Sequence, residues 1–173
     1  MADSRMESRM TVQYLEALHA IRELKARYFR CMDIREWETM RDVFTDDIVM
    51  DMREEVATLA KSGMPVDPEG GLIVGRETVV ASMRDALVGT KTVHHGHMPE
   101  VELVSEAEAR GIWAMEDIVV LPDGAPIGRI HGYGHYHETY VRGEDGRWRI
   151  SHLRLSRLLV EVLFNGTRNL DEK

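Results

Sequence analysis

An α+β domain is what this sequence predicts, with helices gathered in its first half and a long antiparallel meander in its second. Two observations predict it. Apolar residues recur at helical spacing up to Leu87, and from Lys91 onward the period changes to two. Four long runs of that second kind are separated only by Ser105-Glu106, PDGAP and GEDG, short turns that join antiparallel neighbours. Helices followed by a meander form one helical layer over one face of a curved sheet.

The elements follow in order. The first ten residues, MADSRMESRM, are polar and read as a flexible N-terminus. A helix over Thr11 to Met32 has one buried face, made of Leu18, Ile21, Leu24 or Lys25, Tyr28, and Cys31 or Met32. Tyr28 therefore points inward. Asp33 does not share that face, and a turn of about 140° separates the two, so they converge only if the helix loosens near Met32. Arg35 and Glu36 lead into a shorter helix ending near Phe44, which Thr45, Asp46 and Asp47 break before a strand over Ile48 to Met52. The stretch from Glu54 begins as a helix and ends in GMPVDPEGG, whose Gly and Pro content suggests a flap. Gly75 opens a third amphipathic helix through Val79, Val80, Met83 and Leu87, closed by Gly89. Strands then cover Thr92 to Val104, Ala107 to Leu121, Gly128 to Val141 and Arg147 to Leu163. One domain over residues 11–164 with a tail over 165–173 is the expected organisation.

A chain of 173 residues buries enough surface for one core without metal or disulfide. The formal charge of -8 and the lack of any long basic block argue against nucleic acid as a partner. The single cysteine, Cys31, reads as a small buried thiol, and a reducing cytoplasm is the expected compartment. MADSRMESRM lacks the apolar core of a signal peptide, and no window approaches the ~20 apolar residues of a membrane span. No GxGxxG or GxxxxGK[ST] segment points to a dinucleotide or a P-loop phosphate.

Six of the eight histidines fall in two strand segments, HHGH at His94 to His97 and HGYGHYH at His131 to His137. The i, i+2 pairs His95/His97 and His135/His137 would hold a transition metal if the two strands paired in register. The competing reading is ordinary sheet histidine. Gly96, Gly132 and Gly134 alternate with them and mark bends, bulges or close approaches. Such a sheet curls into a cone, with Tyr28 and Asp33 on one wall of the interior and histidines on the other. Strict alternation puts His95 and His97 with Val93, Val101 and Leu103, and His94 on the opposite face. A bulge near Gly96 or Pro99 would reverse that.

AIRELKARYFRCMD…W…M…FTDDIV, GRETVVASM, TVHHGHMPEVELVSEAEARG and GHYHETYVRGEDGRWRISHLRL occur in an order that resembles the SnoaL-like branch of the nuclear transport factor 2-like superfamily. That branch includes scytalone dehydratase, bile-acid dehydratase and hexachlorocyclohexane dehydrochlorinase. The resemblance covers nearly the whole chain and implies a cone-shaped, cystatin-like fold. It implies a histidine at the start of the first long strand paired with an aspartate at the end of the first helix, here His94 and Asp33. Tyr28 matches an acidic or hydrogen-bonding tyrosine. A last-strand arginine is implied too, with Arg154 the nearest candidate and His152 and Arg149 competing. A second histidine on a later strand would be His131, His135 or His137. The further expected contacts to substrate are His135, Met52 and Trp113.

The activity implied is cofactor-free elimination of water, or proton-transfer isomerisation, on an apolar cyclic or polycyclic, steroid-like molecule. His94 would be the base, Asp33 its orienting carboxylate and Tyr28 the donor to the developing enolate or the departing hydroxyl. The expected partner besides substrate is a second or third copy of the chain, in a homodimer or homotrimer. Two alternatives use the same fold: a non-catalytic ligand-binding or dimerisation module, and a metal-dependent enzyme built on the histidine clusters. The leading reading has no metal and no cofactor.

Overall fold

A computed structural model describes residues 2–64, 66–67 and 69–165, with side chains from residue 11 onward. The tail expected over 165–173 lies outside the described residues beyond Asn165, as do Pro65 and Pro68 of the Gly/Pro-rich stretch.

Helix α1 runs over Ala2–Ile34, reaching back through the polar segment at the N-terminus. It buries Ile21, Leu24, Lys25, Tyr28, Cys31 and Met32, the stripe expected from three- and four-residue spacing. Its end is a Schellman turn. Glu36 N–H donates to the Cys31 carbonyl at 2.8 Å and Arg35 N–H to that of Met32 at 3.4 Å. Arg35 occupies the left-handed position at φ 64°, where glycine is usual. Short α2, Trp37–Arg41, leads into strand β1, Phe44–Asp51. Helix α3, Arg53–Lys61, strand β2, Leu72–Val74, and helix α4, Arg76–Ala86, complete the first half.

Four long strands follow: β3 Lys91–Leu103, β4 Glu108–Val120, β5 Ile127–Arg142 and β6 Trp148–Phe164. The sheet order is β2-β1-β6-β5-β4-β3, antiparallel throughout except that β1 runs parallel to β6. This is the cone-shaped α+β architecture that the sequence implies. One face of the sheet buries Trp113, Met115, Asp117, Tyr136, Glu138, Tyr140, Leu153 and Leu155, and α1 closes over it.

The register of β3 settles which histidine faces inward. Pairing shifts between Gly96 and Pro99, so the strand carries a bulge there. His94 pairs with Asp117 before the shift, and Val101 and Leu103 pair with Gly111 and Ala109 after it. All belong to the concave face. Strict alternation alone would have placed His94 on the opposite face from Val101 and Leu103, and the bulge reverses it.

Gly96 and Gly132 are close approaches. A Cβ on Gly96 would lie 2.5 Å from the Phe29 ring, and one on Gly132 would lie 2.3 Å from Nη1 of Arg157. Phe29 and Arg157 thus reach the concave face through gaps that only glycine leaves.

Candidate active site

The site is built around the end of α1. Asp33, in the last turn of the helix, accepts from the His94 ring nitrogen Nδ1 at 2.7 Å through one oxygen. Its other oxygen accepts from the His94 backbone N–H at 3.0 Å. A third donor, the Thr92 hydroxyl, lies 2.9 Å from the first oxygen. Arg35 holds that hydroxyl with Nη1 at 2.8 Å and reaches the Thr90 carbonyl with Nη2 at 2.9 Å. The left-handed Arg35 backbone therefore turns its guanidinium onto the start of β3 and fixes the helix end beside His94.

Burial would raise the Asp33 carboxyl, but the hydrogen bonds from the His94 ring and backbone and from Thr92 outweigh it and hold it below its ordinary value. An ionised carboxylate only accepts, so Nδ1 carries a ring proton, and in the neutral imidazole it is Nε2 that holds the lone pair. Phe29 stacks on the imidazole, with centroids 6.3 Å apart and planes 14° from parallel. The His94 side chain is only 7% exposed.

Tyr28 lies in the core of the cavity wall rather than beside Asp33. Its ring meets Tyr136 edge-on at 5.8 Å. Burial pushes both phenols well up, so they stay protonated and can donate. The helix remains helical through Met32. Tyr28 and Asp33 lie at different points, joined by Phe29, which contacts Tyr28, Tyr136 and His94.

Beneath them sits a buried polar chain. Lys25 Nζ donates to Glu138 at 2.5 Å, with both side chains fully buried. The ammonium also stands over the rings of Tyr136 at 3.5 Å, Tyr28 at 4.2 Å and Phe29 at 4.7 Å. Burial lowers its pKa to about 8, against the pull of Glu138. The other Glu138 oxygen accepts from the Tyr140 hydroxyl, which takes the Trp113 N–H at 2.7 Å.

Asp117 and Arg157 complete the wall. Asp117 neighbours His94 across the β3–β4 ladder, and its Oδ2 takes Nη2 of Arg157 at 2.7 Å. Its Oδ1 is buried and has no hydrogen-bond partner among the described residues. Arg157 also grips Glu55 of α3 with two donors, one at 3.0 Å.

The expected site residues are placed as follows. His94 and Asp33 are brought together, and Tyr28 and Trp113 line the same concave face. Met52 is half-buried against the core beside α3. His135 and Arg154 are not brought to His94. His135 pairs with Ala114, and Arg154 with His137, so both lie on the convex face. There Arg154 meets Glu54 at 3.3 Å. His137 is also convex, bonded to Ser156, and His131 bonds Glu116.

The last-strand arginine on the concave face is Arg157, in step with Leu153 and Leu155. That parity, and the similar step from Trp113 and Met115 to Asp117, are the signals by which the sequence could have yielded both. The two histidine segments are not neighbours either: β4 lies between β3 and β5. Among the described residues no three His, Cys, Asp or Glu side chains converge as a metal site.

The α+β cone is that of the nuclear transport factor 2-like superfamily. Within it, residues 13–154 match the SnoaL-like domain, and the chain belongs to that family. Solved structures agree on the fold. A scytalone-dehydratase-like protein from Novosphingobium aromaticivorans superposes with a TM-score of 0.71 at 19% identity, covering 91% of this chain and 99% of that one. A type-3 hexachlorocyclohexane dehydrochlorinase from Novosphingobium barchaimii gives 0.70 at 18% identity, over 94% and 99% of the two chains. The Kfla4162 protein of Kribbella flavida gives 0.66 at 25% identity, over 83% and 91%.

Proposed function

We propose that this chain is a cofactor-independent lyase, a dehydratase or a closely related proton-transfer isomerase, acting on an apolar cyclic or polycyclic ketone of steroid-like shape. The observation that carries the reading is the double acceptance by Asp33 of the His94 ring and backbone N–H groups. It fixes the ring's orientation and tautomer, so Nε2 is the basic atom on the concave face. Such an arrangement is that of a general base, with a carboxylate to stabilise the imidazolium it becomes.

In the elimination, Nε2 takes a proton from the carbon beside the carbonyl. The C–H electrons form the new double bond as the C–O bond to the hydroxyl breaks. The departing hydroxyl takes the proton held by His94, which returns to the neutral imidazole, and water leaves. Tyr28 and Tyr136, kept protonated by burial, would donate to the carbonyl oxygen as it gains enolate charge. The orphan oxygen of Asp117 suits a substrate hydroxyl, which would supply the donor it lacks. Assembly as a homodimer or homotrimer and a cytoplasmic location accompany this reading.

The test is a mass-spectrometric screen of the purified, chelator-treated protein against hydroxylated 3-keto steroids and polycyclic ketones. Loss of one water with wild type and not with His94→Ala supports the assignment. Turnover that survives His94→Ala overturns it, and a retained ligand without turnover makes the protein a carrier.

A further inference from the structure

The groups of the site are almost sealed from water. Tyr28 and Tyr136 are each 3% exposed, Asp117 4% and Met115 2%, so no substrate reaches His94 without something moving. Most of the surroundings are held by apolar packing. Helix α1 contributes seven buried apolar side chains, and α4 buries Val79 and Val80. Helix α3 is different: it has no buried residue. Val56, Leu59 and Ala60 are only half-buried, its main contacts are with β6, and its side-chain bonds are polar, with Arg53 also pairing with Asp51 of β1. Glu55 forks onto Arg157, and Glu54 accepts from the Arg157 backbone N–H at 3.1 Å and from the Arg154 side chain.

The base of the excursion is pinned independently. Met52 N–H donates to the Gly71 carbonyl at 2.6 Å, and Asp51 pairs with Leu72 in the β1–β2 ladder. Gly71 holds φ 102°, and a Cβ there would lie 2.9 Å from the Arg53 nitrogen and the Met52 carbonyl carbon. The two ends of the excursion thus stay clamped while the helix between them depends on carboxylate–arginine pairs. An element with no buried apolar face and a pinned base is one that opens locally at low cost.

We infer that α3 is the gate of the active site and that Glu55 is its latch, closed on Arg157. The inference rests on the reading of the concave face as a substrate site. Opening releases two donors of Arg157 toward the cavity and leaves its bond to Asp117 in place. Arg157 then offers those donors to the carbonyl oxygen of an incoming ketone, so the latch and the substrate compete for one guanidinium.

The gate is tested without any substrate. Hydrogen exchange of the wild-type protein is expected to show α3 amides exchanging at least tenfold faster than those of α4, and equal protection would overturn the inference. In Glu55→Gln, α3 exchange should rise a further tenfold with β4 and β5 unchanged. Carbethoxylation of His94 by diethylpyrocarbonate, followed by peptide mass spectrometry, reads the gate directly. Its rate relative to exposed His19 should rise about tenfold in Glu55→Gln. An unchanged ratio alongside faster α3 exchange would leave a mobile helix that gates nothing, and would overturn the proposal. Absence of turnover in the ketone screen would bear on the proposed chemistry and leave both readouts intact.

Discussion

Asp33 and His94 are joined twice, once through the ring nitrogen at 2.7 Å and once through the backbone N–H at 3.0 Å. The second bond matters because it ties the carboxylate to the strand itself, so the ring cannot rotate away without losing its partner. A helix end and a strand start, 61 residues apart in the chain, are thereby held as one rigid unit.

Loss of the base should be severe. His94→Ala is expected to lower turnover by about 10² to 10⁴, the range typical of general-base catalysis. Asp33→Asn should also cut turnover while keeping the fold, since the amide reproduces the shape and not the charge. Rates with a substrate found in the ketone screen, alongside circular dichroism, check both.

The same pair makes stability pH-dependent in a defined direction. Asp33 is depressed below its ordinary 3.8 in the folded chain, so the unfolded chain binds its proton first as the pH falls. Its stabilisation is therefore complete above about pH 5 and is lost as the pH drops through and below 4. The difference in urea midpoint between wild type and Asp33→Asn should shrink as the pH falls from about 5 through 4 to 3. A gap that stays constant to pH 3 would show that the folded carboxyl is not depressed.

Lys25 and Glu138 form a fully buried pair, and breaking it from one side strands a charge. Lys25→Met should cost about 3–5 kcal/mol, because Glu138 remains in the interior without its cation. Lys25→Met/Glu138→Gln should recover at least half of that loss, since a neutral amide still accepts from Tyr140. Urea unfolding of wild type, Lys25→Met, Glu138→Gln and the double variant decides it, and additive losses would argue that the pair is not coupled.

Gly132 lies under Arg157 and Asp117, where a methyl group would stand 2.3 Å and 2.5 Å from their polar atoms. Both side chains are tightly held, so neither can yield freely. Gly132→Ala is expected to cost about 1–3 kcal/mol and to displace the guanidinium. A crystal structure of the variant should show Arg157 turned from Asp117, and an unmoved Arg157 would contradict the crowding argument.

Much of this was legible in the sequence, and what was not has particular causes. The helix face through Tyr28, the four strands and the His94–Asp33 partnership follow from spacing and resemblance. Strict alternation misassigns His94 because a bulge at Gly96 to Pro99 inserts a change of parity, and single-sequence periodicity shows only that glycine and proline are present. Arg154 was the nearer candidate by position. Arg157 faces inward because it keeps step with Leu153 and Leu155, a signal present in LRLSR. Lys25 fits the buried stripe of α1, but a lysine there reads as an edge residue until Glu138, 113 positions later, supplies its partner. The Arg35 turn has no sequence signal of its own, since glycine is what its φ would ordinarily select.

That turn gives the last prediction, because two opposed effects meet in one residue. A left-handed Arg35 costs about 1–2 kcal/mol against a right-handed one, and glycine would remove that cost. Its guanidinium meanwhile bonds Thr90 and Thr92, and such bonds are worth about 1 kcal/mol each net. Arg35→Gly loses the bonds and relieves the strain, so its stability should fall by only about 1–2 kcal/mol. Arg35→Lys loses the planar fork and keeps the strain, so it should be the less stable of the two. Both should loosen Thr92 from Asp33 and lower turnover more than their urea midpoints suggest. A lysine variant as stable and as active as wild type would show that the helix end is held by the Schellman turn alone.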